Sequence, residues 1–139
     1  MNSLYLDTNF FIYLSDKTSP IYKICAKFLG YCRKNNILTV TSVETIQEII
    51  HLAKNTKQLD KGLRTSKICL KIVDDILPIN ETVIGNYLRY ASTYKSAGSR
   101  DLIHLAVCIE NKINKIVTFD RDFAKFKEID ILHPQDITS

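Results

Sequence analysis

The residues of this chain most able to do chemistry are acids placed at the ends of apolar segments. Asp7 follows the apolar run SLYL, Asp120 follows IVTF, and Asp101 opens LIHLAVCI. Glu44 and Glu48 lie four residues apart on one helix-like segment. Carboxylates gathered in one place repel each other, and a divalent cation relieves that repulsion. Oxygen donors without Cys or His at ligand spacing suit Mg2+ or Mn2+ better than zinc. Such an ion polarises a phosphoryl oxygen, lowers the pKa of water and steadies a leaving oxygen. Each acid also has a structural alternative. Asp7 could cap the helix after it, Asp101 could answer the dipole of a first helical turn, Glu48 could be a solvated helix residue, and Asp120 could shape the turn in TFDRDF.

The elements that must position these acids follow from periodicity. Residues 3–6 predict a central strand, and Asn9 to Leu14 a short helix. Ser19-Pro20 reads as N-cap and first helical residue of a helix over 20–34, with Ile21, Ile24, Cys25, Phe28, Leu29 and Cys32 on one face. Residues 37–41 predict a second strand. Ser42 is placed to cap a helix over 43–54 whose stripe is Val43, Ile46, Ile50 and Ala53. A helix over 60–74 carries Leu63, Ile68, Leu70 and Ile72. Residues 76–79 predict a third strand, and Asn80 or Thr82 starts a helix over 81–95. The helix over 101–112 is apolar nearly all round and should be deeply buried. Residues 115–118 predict a fourth strand, 119–126 a loop with a helical turn, and 129–132 a fifth strand, after which Pro134 ends regular structure. Strands alternating with helices predict a parallel sheet covered on both faces. Sites in such sheets lie beyond the carboxyl ends of strands where their order reverses. Asp7 and Asp120 stand at strand ends, and Asp101 opens the helix leading into the fourth strand.

Neighbours of the acids divide into helpers and bystanders. Thr8, Asn9 and Thr118 could orient the adjacent carboxylates. Asp122 competes with Asp120 and is an accessory ligand at most. Glu44 and Glu48 both lie off the apolar stripe, so periodicity does not choose between them. His51, His104 and His133 share no ligand spacing and read as structural or surface residues. Arg100 and Arg121 flank acids and could touch phosphate, but read first as surface charge.

Composition sets the frame. The 139 residues, 45% hydrophobic and 24% charged, fit one globular domain over 1–139, without repeat or low-complexity linker. No apolar run can span a bilayer, and no basic-then-apolar leader precedes the first strand, so neither a membrane anchor nor a secretory signal is expected. Cys25, Cys32, Cys69 and Cys108 form no CxxC pair and predict buried, reduced thiols in a cytoplasmic protein. The net charge is +4. With several of the 15 acids reserved for one pocket, the remaining surface is more basic still, which suits a polyanionic substrate.

Four segments together resemble the PIN-domain family, especially its small VapC-like toxin nucleases. LDTNFFIY is similar to the family's opening strand and first Asp, here Asp7. TSVETIQEII resembles the second motif, whose Glu falls six residues after the strand-end Ser, which selects Glu48 over Glu44. SRDLIHLAV and KIVTFDRDF resemble the third and fourth, giving Asp101 and Asp120, and ILHPQDI is similar to the closing strand and proline. The resemblance covers nearly the whole chain. It implies a three-layer α/β/α sandwich with a five-stranded parallel sheet of order 3-2-1-4-5. It also implies cleavage of single-stranded RNA by metal-activated water with Mg2+ or Mn2+, a small antitoxin partner, and a homodimer. Asp7, Asp101 and Asp120 would hold the main ion, and Glu48 would complete the cluster or bind water.

Two other enzyme or binding classes compete. A phosphohydrolase with Asp7 as nucleophile would want an acid two residues on, where this chain has Asn9. A PIN-like RNA-binding or scaffold protein would have lost acids that this chain keeps. A housekeeping RNA-processing nuclease is a third alternative. Finally, the stripes Ile21, Ile24, Phe28, Leu29 and Leu63, Ile68, Ile72 lie outside the motifs. A groove between their helices could take an amphipathic antitoxin peptide.

Overall fold

The alternation of Leu4, Tyr5 and Leu6 on strand β1 (Ser3–Leu6) divides the core of this protein between two faces. The structure, a computed structural model, describes residues 2–138. Leu4 and Leu6 join Phe10, Phe11, Cys25, Phe28 and Cys69 on one face. Tyr5 joins Leu102, Leu105, Val107 and Phe123 on the other. Both faces being covered, buried strand positions are apolar except on β2, where Thr39, Thr41 and Ser42 are buried with hydrogen-bonding partners.

Element order is β1, α1 (Thr8–Leu14), α2 (Tyr22–Lys34), β2 (Leu38–Ser42), α3 (Val43–Asn55), α4 (Leu59–Ile72), β3 (Asp75–Leu77), α5 (Glu81–Thr93), α6 (Ser99–Glu110), β4 (Lys115–Val117), a 3-10 turn over Arg121–Lys125, β5 (Asp130–Leu132) and α7 (Pro134–Thr138). The sheet has the order β3-β2-β1-β4-β5, and all four strand pairs are parallel. The chain leaves β1 to build β2 and β3 on one side, then crosses to build β4 and β5 on the other. Strand order therefore reverses at β1, and Tyr5 and Leu6 sit in register with Ile116 and Val117 of β4. The amide of Asp7 extends that pairing by donating to the Val117 carbonyl at 3.0 Å.

Several boundaries and faces depart from the sequence expectations. Helix α2 starts at Tyr22 rather than at Pro20, because Ser19 Oγ accepts from the Ile21 amide and forms a tight turn instead of an N-cap. Ser42 stands at the N-cap position of α3 but makes no capping bond, since its hydroxyl lies 2.6 Å from the Tyr5 hydroxyl. The buried face of α3 is Thr45, Ile49 and Ala53, whereas Val43 is 48% exposed. Thr45 tolerates burial because its hydroxyl lies 2.6 Å from Thr41 Oγ1, which donates to the Leu6 carbonyl. In α4 the buried residues are Gly62, Thr65, Ser66 and Cys69, with Leu63 and Leu70 exposed. Pro134 opens a short last helix rather than ending regular structure, and α7 packs on α2. The expected burial of α6 is found, with Leu102 through Cys108 buried except for half-buried Ile103. Asn80 caps α5, accepting from the Val83 amide at 3.1 Å. All four cysteines are free and buried, and burial alone pushes the Cys69 thiol up to about 12.

The stripe of the second helix offers little to the groove expected with the fourth. Phe28 and Leu29 are consumed by the core. A groove of about 200 Å³ lies instead among α1, α3 and α4, lined by Ile12, Ile49, Leu52, Lys61 and Thr65.

Candidate active site

Asp7 is the residue where fold and chemistry meet. It is the first residue past β1, at the edge where strand order reverses, and it is only 6% exposed. Its Oδ1 accepts from the Thr8 amide at 2.8 Å, so it caps α1 as a helix-starting acid would. Its Oδ2 accepts from the Thr118 hydroxyl at 2.7 Å. Burial pushes its carboxyl pKa up, His104 and these donors pull it back only in part, and the charge of Glu48 adds to the rise. A buried carboxylate with a raised pKa is a group that gains from a nearby cation.

Thr118 ties three expected residues together. Its one hydroxyl proton goes to Asp7, and its lone pairs accept from the Asp120 amide at 2.9 Å and from Asn9 Nδ2 at 3.3 Å. Asn9 Oδ1 in turn accepts from the Phe119 amide. Asn9 therefore reaches Asp7 through Thr118 rather than directly. Asp120 accepts on Oδ1 from the Asp122 amide, and the Asp122 side chain is exposed. In this arrangement Asp122 contributes its backbone to the loop that holds Asp120.

Glu48 projects from α3 toward the same edge. Its Oε1 accepts from the Thr8 hydroxyl at 3.1 Å and from Nε2 of His104. Burial would raise the Glu48 pKa, but the bond and charge of His104, with Thr8 and Arg100, bring it below the usual carboxylate range. Glu44 is half-buried one turn earlier. Burial and the charge of Glu48 raise its pKa, and among the described residues no side-chain hydrogen bond holds it. Geometry thus separates the two glutamates that periodicity left equivalent.

Asp101 lies in the first turn of α6, with its Oδ2 3.3 Å from Lys125 Nζ in an ion pair. Burial raises its pKa, Lys125 and His104 lower it, and Asp120 raises it again. The acids are thus linked electrostatically in two pairs, Asp7 with Glu48 and Asp101 with Asp120. They are not drawn into a closed cage. Among the described residues no three Asp, Glu, His or Cys side chains converge as a ready-made metal cluster. Each carboxylate is engaged by protein donors, and Glu48 and Asp101 are paired with His104 and Lys125. The donor set fits a hard divalent cation nonetheless. It is all oxygen, and among the described residues Oε2 of Glu48, Oδ1 of Asp101 and Oδ2 of Asp120 are left without a protein hydrogen bond.

His104 is the residue that sequence reasoning missed. It is 1% exposed, on α6 one turn after Asp101, with Nε2 also 3.9 Å from Asp7 Oδ1. Spacing to the other histidines held no signal, because its partners are acids from distant segments. The signal lay in the i, i+3 relation to Asp101 on a helix otherwise apolar. His51 and His133 do lie away from the acids, the first beside Asn55 and the second against the Phe119 ring.

A parallel sheet wrapped on both faces, with carboxylates gathered where strand order reverses, defines an α/β domain built around an acidic site. The chain belongs to the PIN domain family, whose profile matches residues 4–129. Ribonuclease VapC23 of Mycobacterium tuberculosis is 26% identical over 125 residues, covering 87% of this chain and 95% of that protein. The fold is shared with VapBC2 from Rickettsia felis bound to a promoter DNA fragment. That likeness has a TM-score of 0.74 and 19% identity, covering 94% of this chain and 97% of that one. A toxin–antitoxin complex from Klebsiella pneumoniae matches with a TM-score of 0.64 and 20% identity, covering 94% and 97%.

Proposed function

We propose that this chain is a metal-dependent endoribonuclease that cuts single-stranded RNA, and that it is the toxin of a toxin–antitoxin pair. The observation that carries the reading is Asp7. A buried, braced carboxylate at the switch point of a parallel sheet is coupled there to Glu48 and lies on the same edge as Asp101 and Asp120. The curated ribonuclease relative supports the reaction class.

Asp7, Asp101 and Asp120 would hold Mg2+ or Mn2+, with Glu48 completing the set. When bound, the cation supplies positive charge that polarises the scissile phosphate and acidifies the attacking water. The chain's own residues do the rest. Thr118 and the Thr8 amide keep Asp7 aimed. Glu48 offers Oε2 as an acceptor that can orient a water. Lys125 is a partly exposed cation able to leave Asp101 for a phosphate oxygen. No side chain acts as nucleophile, and the products carry a 5′-phosphate and a 3′-hydroxyl.

The partners belong to the same reading. The net charge of +4 despite an acidic pocket favours RNA. The Klebsiella pneumoniae structure is a toxin–antitoxin complex, and this chain offers an apolar groove among α1, α3 and α4 with exposed Leu52 beside it. A small antitoxin whose peptide lies in that groove fits, as does a homodimer, the commonest closed assembly. Four free, buried thiols suit a reducing cytoplasm, and among the described residues no helix is long and apolar enough to cross a membrane.

The test is cleavage of unstructured RNA oligonucleotides by freshly purified, antitoxin-free protein with Mg2+ or Mn2+. Cleavage abolished by chelator, with 5′-phosphorylated products, is the expected result. RNA binding without cleavage in either metal would favour the scaffold alternative and overturn the proposal.

A further inference from the structure

Beneath the acidic edge runs a buried line of side chains that no part of the proposed reaction requires to touch substrate. Ser42 Oγ lies 2.6 Å from the Tyr5 hydroxyl, and the Tyr5 hydroxyl lies 2.5 Å from His104 Nδ1. Nε2 of His104 then bonds Glu48 Oε1, the oxygen that also accepts from Thr8. Ser42 and Tyr5 are wholly buried, and His104 is 1% exposed. The line joins three elements, since Tyr5 is on β1, Ser42 ends β2 and His104 is on α6.

Its polarity is fixed at one end. An ionised carboxylate only accepts, so Nε2 must donate to Glu48. A neutral ring then accepts at Nδ1 from Tyr5, which accepts from Ser42. A charged ring donates at both nitrogens, and the Tyr5 hydroxyl turns to donate to Ser42. Nε2 donates to Glu48 in either state, so the geometry at Glu48 does not depend on the charge of the ring. Edge-on packing of the imidazole against the rings of Tyr5 and Phe123 holds its plane. Because His104 and Thr8 both take Oε1, the carboxylate cannot swivel, and Oε2 is the oxygen left for the site.

We infer that His104, braced by Tyr5 and Ser42, is a positioning residue that locks the Glu48 carboxylate and presents Oε2 to the cation and substrate. The inference rests on the proposed metal-dependent function. Groups that orient a metal-binding carboxylate typically change metal affinity by about 10- to 100-fold when lost.

The experiment is Mn2+ binding to the full chain by titration calorimetry, with thermal melting as the check on folding. Wild-type protein that binds no Mn2+ would sink the proposed function itself. Given wild-type binding, His104→Phe fills the space without a donor and should weaken Mn2+ by about 10- to 100-fold. His104→Gln, whose amide can reach as Nε2 does, should restore most of that affinity. In a Glu48→Gln background, His104→Phe should cost little further, because the two residues act as one unit. Affinity unchanged in His104→Phe would overturn the inference, as would the same loss with and without Glu48. If His104→Phe does not fold, Tyr5→Phe takes its place: it removes only the hydroxyl at Nδ1 and should weaken Mn2+ severalfold. Wild-type affinity in a folded Tyr5→Phe would equally overturn it.

Discussion

At the scale of single residues, the site is a set of carboxylates each held by a donor, and the donors decide which acid matters. Glu48 is gripped by Thr8 and His104, whereas Glu44 makes no side-chain hydrogen bond among the described residues. Replacing each by Gln should therefore give unequal results. Glu48→Gln should lower RNA cleavage by about 10²-fold or more, on the scale of a lost electrostatic contact in a site, and Glu44→Gln by less than tenfold. Equal losses, measured as kcat/KM on one oligonucleotide, would show that the bonds to Glu48 do not select it. The same bonds set a pH dependence in metal-free protein. Burial would lower the His104 pKa, but its bond to Glu48 and the charges of Asp7, Glu48 and Glu44 raise it overall. Its stabilising contribution is complete below the unfolded value of about 6.5 and fades as pH climbs through the higher folded value. Glu48, with a lowered pKa, contributes above its unfolded value of about 4.3 and loses that as pH falls through the lower folded value. Asp7, raised by burial, works against stability once ionised. The Tm in chelator should thus peak between about 4.5 and 6.5 and fall toward pH 9, with a flatter alkaline limb in His104→Gln. A Tm that climbs steadily from pH 6 to 9 would contradict this pairing.

At the scale of elements, the α3–α4 hairpin shows how a close contact and an unusual turn are balanced. A Cβ added at Gly62 would overlap the Cβ of Ala53, so the glycine is what lets α4 lie against α3. The helix-propensity gain of an alanine, about 1 kcal/mol, is outweighed by overpacking of about 1–3 kcal/mol. Lys57, just past α3, holds a left-handed φ of 57° while the Gln58 amide reaches back to the Ala53 carbonyl at 2.7 Å. Glycine relieves that strain, so Lys57→Gly should stabilise by about 1 kcal/mol and Gly62→Ala should destabilise. Urea unfolding reads both, and the same sign for the two would refute the packing argument. This hairpin also shows what the sequence could and could not convey. Element types and order were legible because apolar runs ending in Asp7 and Asp120, and the apolar α6, are strong local patterns. The end of α6 was less so, expected at 112 and found at Glu110, because Lys112 fills a left-handed position where glycine would have marked a stop. The phase of α3 was misread because Thr45 is buried by a hydroxyl contact to Thr41, which hydrophobic periodicity does not register. His104 was overlooked for a similar reason. Its role depends on Tyr5 and Glu48, neighbours only in space.

At the scale of the whole molecule, the sheet order brings to one edge acids that are 113 residues apart in the chain at the extremes, Asp7 and Asp120. The reversal at β1 is what makes them neighbours, and the rest of the fold is a scaffold for that edge. On the proposed reading, the net charge of +4 would draw RNA toward the place where a cation would be held. The most direct measurement is RNA cleavage by Asp7→Asn beside wild type, each titrated with Mn2+. Asparagine keeps the shape and the bond from the Thr8 amide; it loses the bond from Thr118 but also removes a buried charge, so metal-free Asp7→Asn should melt close to wild type. It should lose the Mn2+-dependent rise in Tm and at least about 10²-fold in kcat/KM. Cleavage at the wild-type rate by folded Asp7→Asn would contradict the central claim that this edge is the active site.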